Sequence, residues 1–169
     1  MALVSGAFFD TSVLLGGLID LGPTVKAAQD VMTAVAEDRV RKPLTAWHCC
    51  LEFYAVATRL PEEYRLAPAD AVRLLEEEIL KRFRVAELPP RSRDDLFRTA
   101  VRERVAGGRI YDAHIGEVAR QAGAQTIVTD NVRHFSGLVR QGLEVFDSAT
   151  FADTLRRSGA AGRRGLAPS

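Results

Sequence analysis

Cysteine is nearly absent from this 169-residue chain: only Cys49 and Cys50 occur, side by side, where a bridge would strain the peptide between them. A disulfide framework is therefore excluded, and without a CxxC pair so is a zinc knuckle. Lysine is almost as scarce. Lys26, Lys42 and Lys81 stand alone, so nearly all of the 23 basic residues are arginines, whose planar fork suits phosphate contacts. No charge of one sign dominates, since 22 acidic residues leave a formal net charge of +1. That balance excludes a protein that finds nucleic acid through overall positive charge; any polyanion must meet a local patch. No apolar run reaches the ~18 residues of a membrane span, and no basic stretch precedes an apolar N-terminal segment. The expected compartment is the reducing cytoplasm.

What is there suffices for one sizeable core: 47% of residues are hydrophobic and 27% charged. A single folded body over residues 1–157 is expected, followed by a basic, small-residue tail at 158–169, SGAAGRRGLAPS. Ala7 to Phe9 reads as a buried strand ending at Asp10, with a helix after it. Thr24 is placed to cap a helix carrying Val25, Ala28, Val31, Met32 and Val35 inward. Val40 to Leu44 is a second strand, and Thr45 is expected to cap a helix through Trp47, Cys50, Leu51, Tyr54 and Thr58 that Pro61 closes. A long helix is expected from Ala67 to Phe83, then a weak strand at Arg84 to Leu88. Ser92 caps an arginine-rich helix reaching Val105, and Ile110 to Ala122 forms another, stopped by Gly123. Thr126 to Thr129 and Leu143 to Phe146 are the last strands. Strands alternating with helices indicate an α/β fold, an α/β/α sandwich around a mostly parallel sheet, with ligands beyond the carboxyl ends of the strands.

Three carboxylates fit that rule. Asp10 and Asp130 each follow a buried strand directly. Asp112 opens a helix behind Gly107 and Gly108, and shares a face with Ile115 and Ala119, so it points toward the sheet. Glu52 is surrounded at helical spacing by His48, Cys49, Ala55 and Val56, an unusual surface for a charge. Taken singly, each has a plain structural role: Asp10 with Thr11 and Ser12 as a helix cap, Asp112 likewise, Asp130 with Asn131 as a turn, Glu52 as a partner of Arg59. Caps do not explain four carboxylates at one edge of a sheet, where they repel unless a cation neutralises them. Oxygen-only ligands select Mg²⁺ or Mn²⁺.

The segments FFDTSVLL, LEFYAVATR and GGRIYDAHIGEVARQAGAQTIVTDNVRHF, in this order and spacing, resemble the PIN domain, and within it the VapC toxins of bacterial and archaeal toxin–antitoxin pairs. The likeness runs from about Phe8 to Phe151. It implies a small α/β/α sandwich whose acids hold Mg²⁺ or Mn²⁺ and hydrolyse RNA. Residue by residue, Asp10 matches the first acid, Glu52 the second and Asp112 the third. For the fourth, Asp130 and Asn131 occupy both positions used in similar proteins; Asp130, the only carboxylate there, is taken as the acid, and the alternative is Asn131 in that position as a neutral ligand or substrate contact. Ser12 matches the hydroxyl that supports the first acid, while Thr11 is expected to face elsewhere. Arg98, Arg102, Arg109 and Arg133 flank the acids and are candidate RNA contacts, or else solvated surface.

The resemblance also implies a small VapB-like antitoxin and a homodimer or toxin–antitoxin hetero-oligomer, with the helices over residues 12–35 and 45–83 as surfaces for them. Two other functions compete. An aspartate-nucleophile phosphatase could use Asp10, but Ser12 stands where a second aspartate is wanted and no lysine lies near a late strand end. An inactive PIN scaffold that only binds a protein is the non-enzyme alternative; the intact quartet argues against it.

Overall fold

The computed structural model describes residues 4–137 and 142–164. Five short strands form one parallel sheet: β2 (Ala7–Phe9), β4 (Leu44–Ala46), β5 (Arg84–Ala86), β6 (Thr126–Val128) and β7 (Glu144–Phe146), in the order β5-β4-β2-β6-β7. A separate parallel pair joins β1 (Val4–Ser5) to β3 (Val40–Arg41). The chain winds outward from β2 to β5, returns to β6 beside β2, and winds outward again to β7. The sheet therefore changes direction between β2 and β6, the place where an open α/β sheet leaves a crevice beyond its carboxyl ends.

Helices cover both faces. α1 (Thr11–Leu18), α2 (Lys26–Ala36), α3 (Trp47–Ala57), α4 (Pro68–Leu74) and α8 (Ser148–Arg164) pack together on one side. On the other lie α5 (Arg93–Arg102), α6 (Arg109–Gln121) and the single turn α7 (Val132–Phe135). Because both faces are covered, the strands are apolar on both: Ala7, Phe8, Phe9, Ile127 and Val128 are all fully buried. Phe9 takes the rings of Phe83 and Phe151 edge-on at 5.4 and 5.7 Å, locking the chain end to the sheet centre. α1 and α2 approach so closely that a Cβ on Gly17 would overlap the Met32 side chain. Alanine there forces the helices apart.

Several local expectations need correction. The strand expected over Val40 to Leu44 is split, because Lys42 adopts a left-handed φ of 49° and hands the chain from β3 to β4. Thr45 is not a helix cap; it lies buried within β4 and donates its hydroxyl to the Phe9 carbonyl at 2.8 Å. Thr24 sits in a 3-10 turn, Pro23–Val25, ahead of α2 and makes no capping bond. The helix expected to Phe83 widens into a π-helical stretch, Leu75–Leu80, and ends there. Ser92 does precede α5, but its hydroxyl accepts a bond from Gln121 of α6 at 2.7 Å instead of capping. Gly123 ends α6 with a φ of 79°, as its position requires. α8 runs on to Arg164, past residue 157, and tail residues 165–169 lie outside those described.

Cys49 and Cys50 are free and buried; burial pushes their thiols up to about 12 and about 11. At pH 8 the thiolate fraction is then only about one in a thousand or less, so native protein is expected to resist a thiol-disulfide reagent that modifies both cysteines after denaturation. Fast modification of the native chain would mean that α3 opens locally.

Candidate active site

The site is built where the sheet changes direction. β2 delivers Asp10 and β6 delivers Thr129 to neighbouring strand ends, fixed by pairing of Phe9 with Val128 and by the Asp10 amide donating to the Val128 carbonyl at 3.0 Å. Asp10 is 4% exposed, and its side chain makes no capping bond to α1. Its Oδ2 instead accepts the Thr129 hydroxyl at 2.8 Å and the Ser12 hydroxyl at 3.0 Å. Burial raises the Asp10 carboxyl above its usual range; bonds from Thr129, the Thr11 backbone and Ser12 pull it back, and the charge of Glu52 raises it again. The same hydroxyls hold the next loop, since Ser12 Oγ accepts the Asp130 amide at 3.0 Å and Thr129 Oγ1 accepts the Asn131 amide at 3.1 Å.

Glu52 arrives from α3, half-buried, and Thr11 donates its hydroxyl to Glu52 Oε2 at 2.5 Å. Thr11 therefore faces the site, contrary to its expected orientation. Asp112 lies in the first turn of α6 without capping it. Its Oδ2 is 3.2 Å from His134 Nδ1 of α7. Burial raises the Asp112 carboxyl, His134 lowers it, Glu52 raises it, and Arg109 and His48 lower it. Glu52 thus acts on both aspartates, so the three acids are near neighbours.

Asp130 does not turn inward with them. Its Oδ1 accepts the Ser148 amide at 2.9 Å and its Oδ2 the Ser148 hydroxyl at 3.0 Å, so both oxygens are engaged at the start of α8. Asn131 follows on the exposed side of that loop. Of the arginines, Arg109 stands by Asp112, Arg98 pairs with Asp95 at 3.0 Å, Arg102 reaches Thr99 at 3.2 Å, and Arg133 is exposed on α7. Sequence reasoning missed Thr129, and it pointed to no contact between His134 and Asp112. The signal for Thr129 was available in its position: a hydroxyl closing a buried strand beside the strand that ends in Asp10.

The donor set is all oxygen and charged, which fits a hard divalent cation such as Mg²⁺ or Mn²⁺. Among the described residues no three His, Cys, Asp or Glu side chains stand close enough to enclose one ion. Magnesium commonly takes only one or two carboxylates and completes its shell with water, a requirement that does not need three enclosing side chains. Thr129→Val keeps the shape but removes the closest donor to a buried carboxylate and the acceptor of the Asn131 amide. A loss of about 1–3 kcal/mol is expected in a denaturant melt, with Ser12→Ala costing less.

Comparisons with known proteins place the chain by family and fold. The family model described as PIN domain matches residues 7–133. Ribonuclease VapC27 of Mycobacterium tuberculosis is 33% identical over 90 residues, 53% of this chain, and the match spans 64% of that relative's length. Among solved structures, VapC20 of Mycobacterium tuberculosis, a toxin that cleaves the sarcin–ricin loop, superposes with a TM-score of 0.60 at 16% identity, covering 78% of this chain and 94% of its own. DNA-bound VapBC of Salmonella typhimurium gives 0.59 at 17%, covering 87% and 99%. No helix among the described residues is long and apolar enough to cross a membrane.

Proposed function

Since the chain belongs to the PIN domain family, we propose that it is a Mg²⁺- or Mn²⁺-dependent endoribonuclease and the toxin of a toxin–antitoxin pair, held inactive by a small VapB-like antitoxin. The observation that carries this reading is that Asp10, Glu52 and Asp112, carried by three elements near the sheet's change of direction, lie close enough for Glu52 to act on both aspartates. Similarity to a relative named as a ribonuclease supports it, and the VapBC complexes among the structural neighbours support the antitoxin and a toxin–antitoxin hetero-oligomer or homodimer.

Asp10, Glu52 and Asp112 would supply the carboxylates, one or two of them to the ion directly and the rest through its water. When bound, the ion supplies Lewis acidity to a phosphate oxygen and lowers the pKa of water. Everything else is done by the chain. Thr129 and Ser12 fix one oxygen of Asp10, Thr11 fixes Glu52, and His134 restrains Asp112, so that three repelling carboxylates are pre-aimed. Arg109, on the turn before Asp112, offers a cation to the RNA backbone. Asp10 itself is a poor nucleophile, being buried with an oxygen engaged by two hydroxyls. Asp130 is read as a clamp on α8 and Asn131 as the polar residue nearer the substrate.

The test is cleavage of RNA by purified protein. Mg²⁺ or Mn²⁺ should support it, EDTA should stop it, and products should carry 5′-phosphate and 3′-hydroxyl ends, because water attacks. Products with 2′,3′-cyclic phosphate ends, or cleavage that persists in EDTA, would replace this reading with attack by the RNA's own 2′-hydroxyl.

A further inference from the structure

Beyond the carboxyl ends of β4 and β5 lies a cleft of about 330 Å³, lined by the start of α3, by the end of β5 and the segment after it, by α5 and by His114 of α6. Its walls are apolar and open: Trp47 is 44% exposed, Leu51 53% and Phe97 62%, with Leu96 beneath. Exposed groups of this size gathered round one hollow mark a contact surface, because scattered surface apolar residues do not line a common space. The cleft is also joined to the acids by covalent neighbours. His48, on its wall, stands one helical turn before Glu52, and Tyr111 immediately precedes Asp112. The His48 and Tyr111 rings are stacked, with centroids 5.3 Å apart and planes at 17°, and His114 meets His48 edge-on at 5.5 Å. Tyr111 remains 57% exposed. Trp47, His48 and Phe97 make the lining aromatic, Tyr111 extends it from the rim through its stack on His48, and a guanidinium (Arg93), a carboxylate (Glu87) and an imidazole (His114) stand among the apolar groups.

We propose that this cleft is a nucleobase subsite, receiving an unpaired base of an RNA strand whose phosphate lies at Asp10, Glu52 and Asp112. Three features select a base over an aliphatic ligand. Flat rings stand ready as a stacking platform. Donors and acceptors accompany them, which a base edge needs and an alkyl chain does not. Arg93 in the cleft and Arg109 beside Asp112 provide positive charge that suits a phosphodiester running between them. The placement further requires that the base be splayed out of any helix, so the preferred substrate is a single-stranded loop or end. This inference rests on the nuclease reading above, since it assigns the neighbouring phosphate to that site.

Trp47 is the chain's one tryptophan, so intrinsic fluorescence reports on the cleft directly. The full chain, in EDTA so that nothing is cut, is titrated with a single-stranded oligoribonucleotide and with a strand of equal length and charge that carries abasic sites. The expected result is saturable quenching by the first and about ten-fold weaker binding of the second. Tyr111→Ala should weaken binding of the base-bearing strand about ten-fold, the scale of one lost stack, while Tyr111→Phe binds like wild type. Phe97→Ala, at a more exposed position, provides a second variant whose fold is not in question. Equal affinity for both strands, or unchanged binding by folded Tyr111→Ala and Phe97→Ala, overturns the proposal. So does a Trp47 emission that shifts with protein concentration before RNA is added, which would mean that a second copy covers the cleft. Cleavage in Mg²⁺ is measured on the same samples. Cleavage without base-dependent quenching sinks the subsite alone, whereas base-dependent quenching without cleavage keeps the subsite and sinks the nuclease.

Discussion

Asp112→Asn is expected to cut RNA cleavage by at least about 100-fold, beyond the range for a residue that merely supports a ligand, while leaving the metal-free protein as stable as wild type or more so. The substitution keeps the side chain's shape. It removes one negative charge from a cleft where Glu52 and burial both disfavour the ionised Asp112, and where only His134, Arg109 and His48 offset them. Apo stability should therefore not fall. Metal linkage should fall instead: an ion binding only the native state stabilises wild type by about 2.7 kcal/mol at 100 times its dissociation constant, and the variant should lose most of that increment. Thermal melts in EDTA and in Mg²⁺, run beside a cleavage assay, read both quantities. A variant that melts early in EDTA yet keeps its magnesium shift and its activity would make Asp112 a structural residue and remove it from the site.

The three acids were legible in the sequence because each combines charge with an apolar setting: Asp10 behind a buried strand, Asp112 on an inward helical face, Glu52 among small and apolar neighbours. The alternating strands were legible for a similar reason, since sheet strands covered on both faces read as short apolar runs. What the sequence hid were residues whose roles depend on register between distant segments. Thr11 and Thr45 read as local helix-capping groups, yet one holds Glu52 across 41 positions and the other a strand carbonyl across 36. The same holds for His134, which meets Asp112 only because α7 folds back on α6. A hydroxyl next to a helix start is a cap by propensity, and only tertiary pairing reassigns it.

Asp130 is the sharpest case, and Asp130→Ala should separate its two assignments. By its place after β6 it is the natural fourth acid; by its contacts it is a clamp. Ser148 is 2% exposed, and Asp130 accepts both its amide and its hydroxyl at the first turn of α8. Asp147 supplies the ordinary cap, accepting the Thr150 amide at 2.7 Å, so Asp130 is a second carboxylate at the same positive helix end. Alanine strands two buried donors that water reaches poorly. The expected cost is about 1–2 kcal/mol, or a melting temperature lower by roughly 2–8 °C for a chain of this size. The conservative change Asp130→Asn retains one acceptor oxygen and should recover part of the loss. Measured well below its melting temperature, Asp130→Ala should keep its magnesium shift and most of its cleavage rate, because both oxygens of Asp130 are turned to Ser148 and away from the other acids. The opposite pattern, wild-type melting in EDTA with the magnesium shift and the activity both gone, would return Asp130 to the metal and require the β6–α7 loop to turn its carboxylate away from Ser148 when the ion binds.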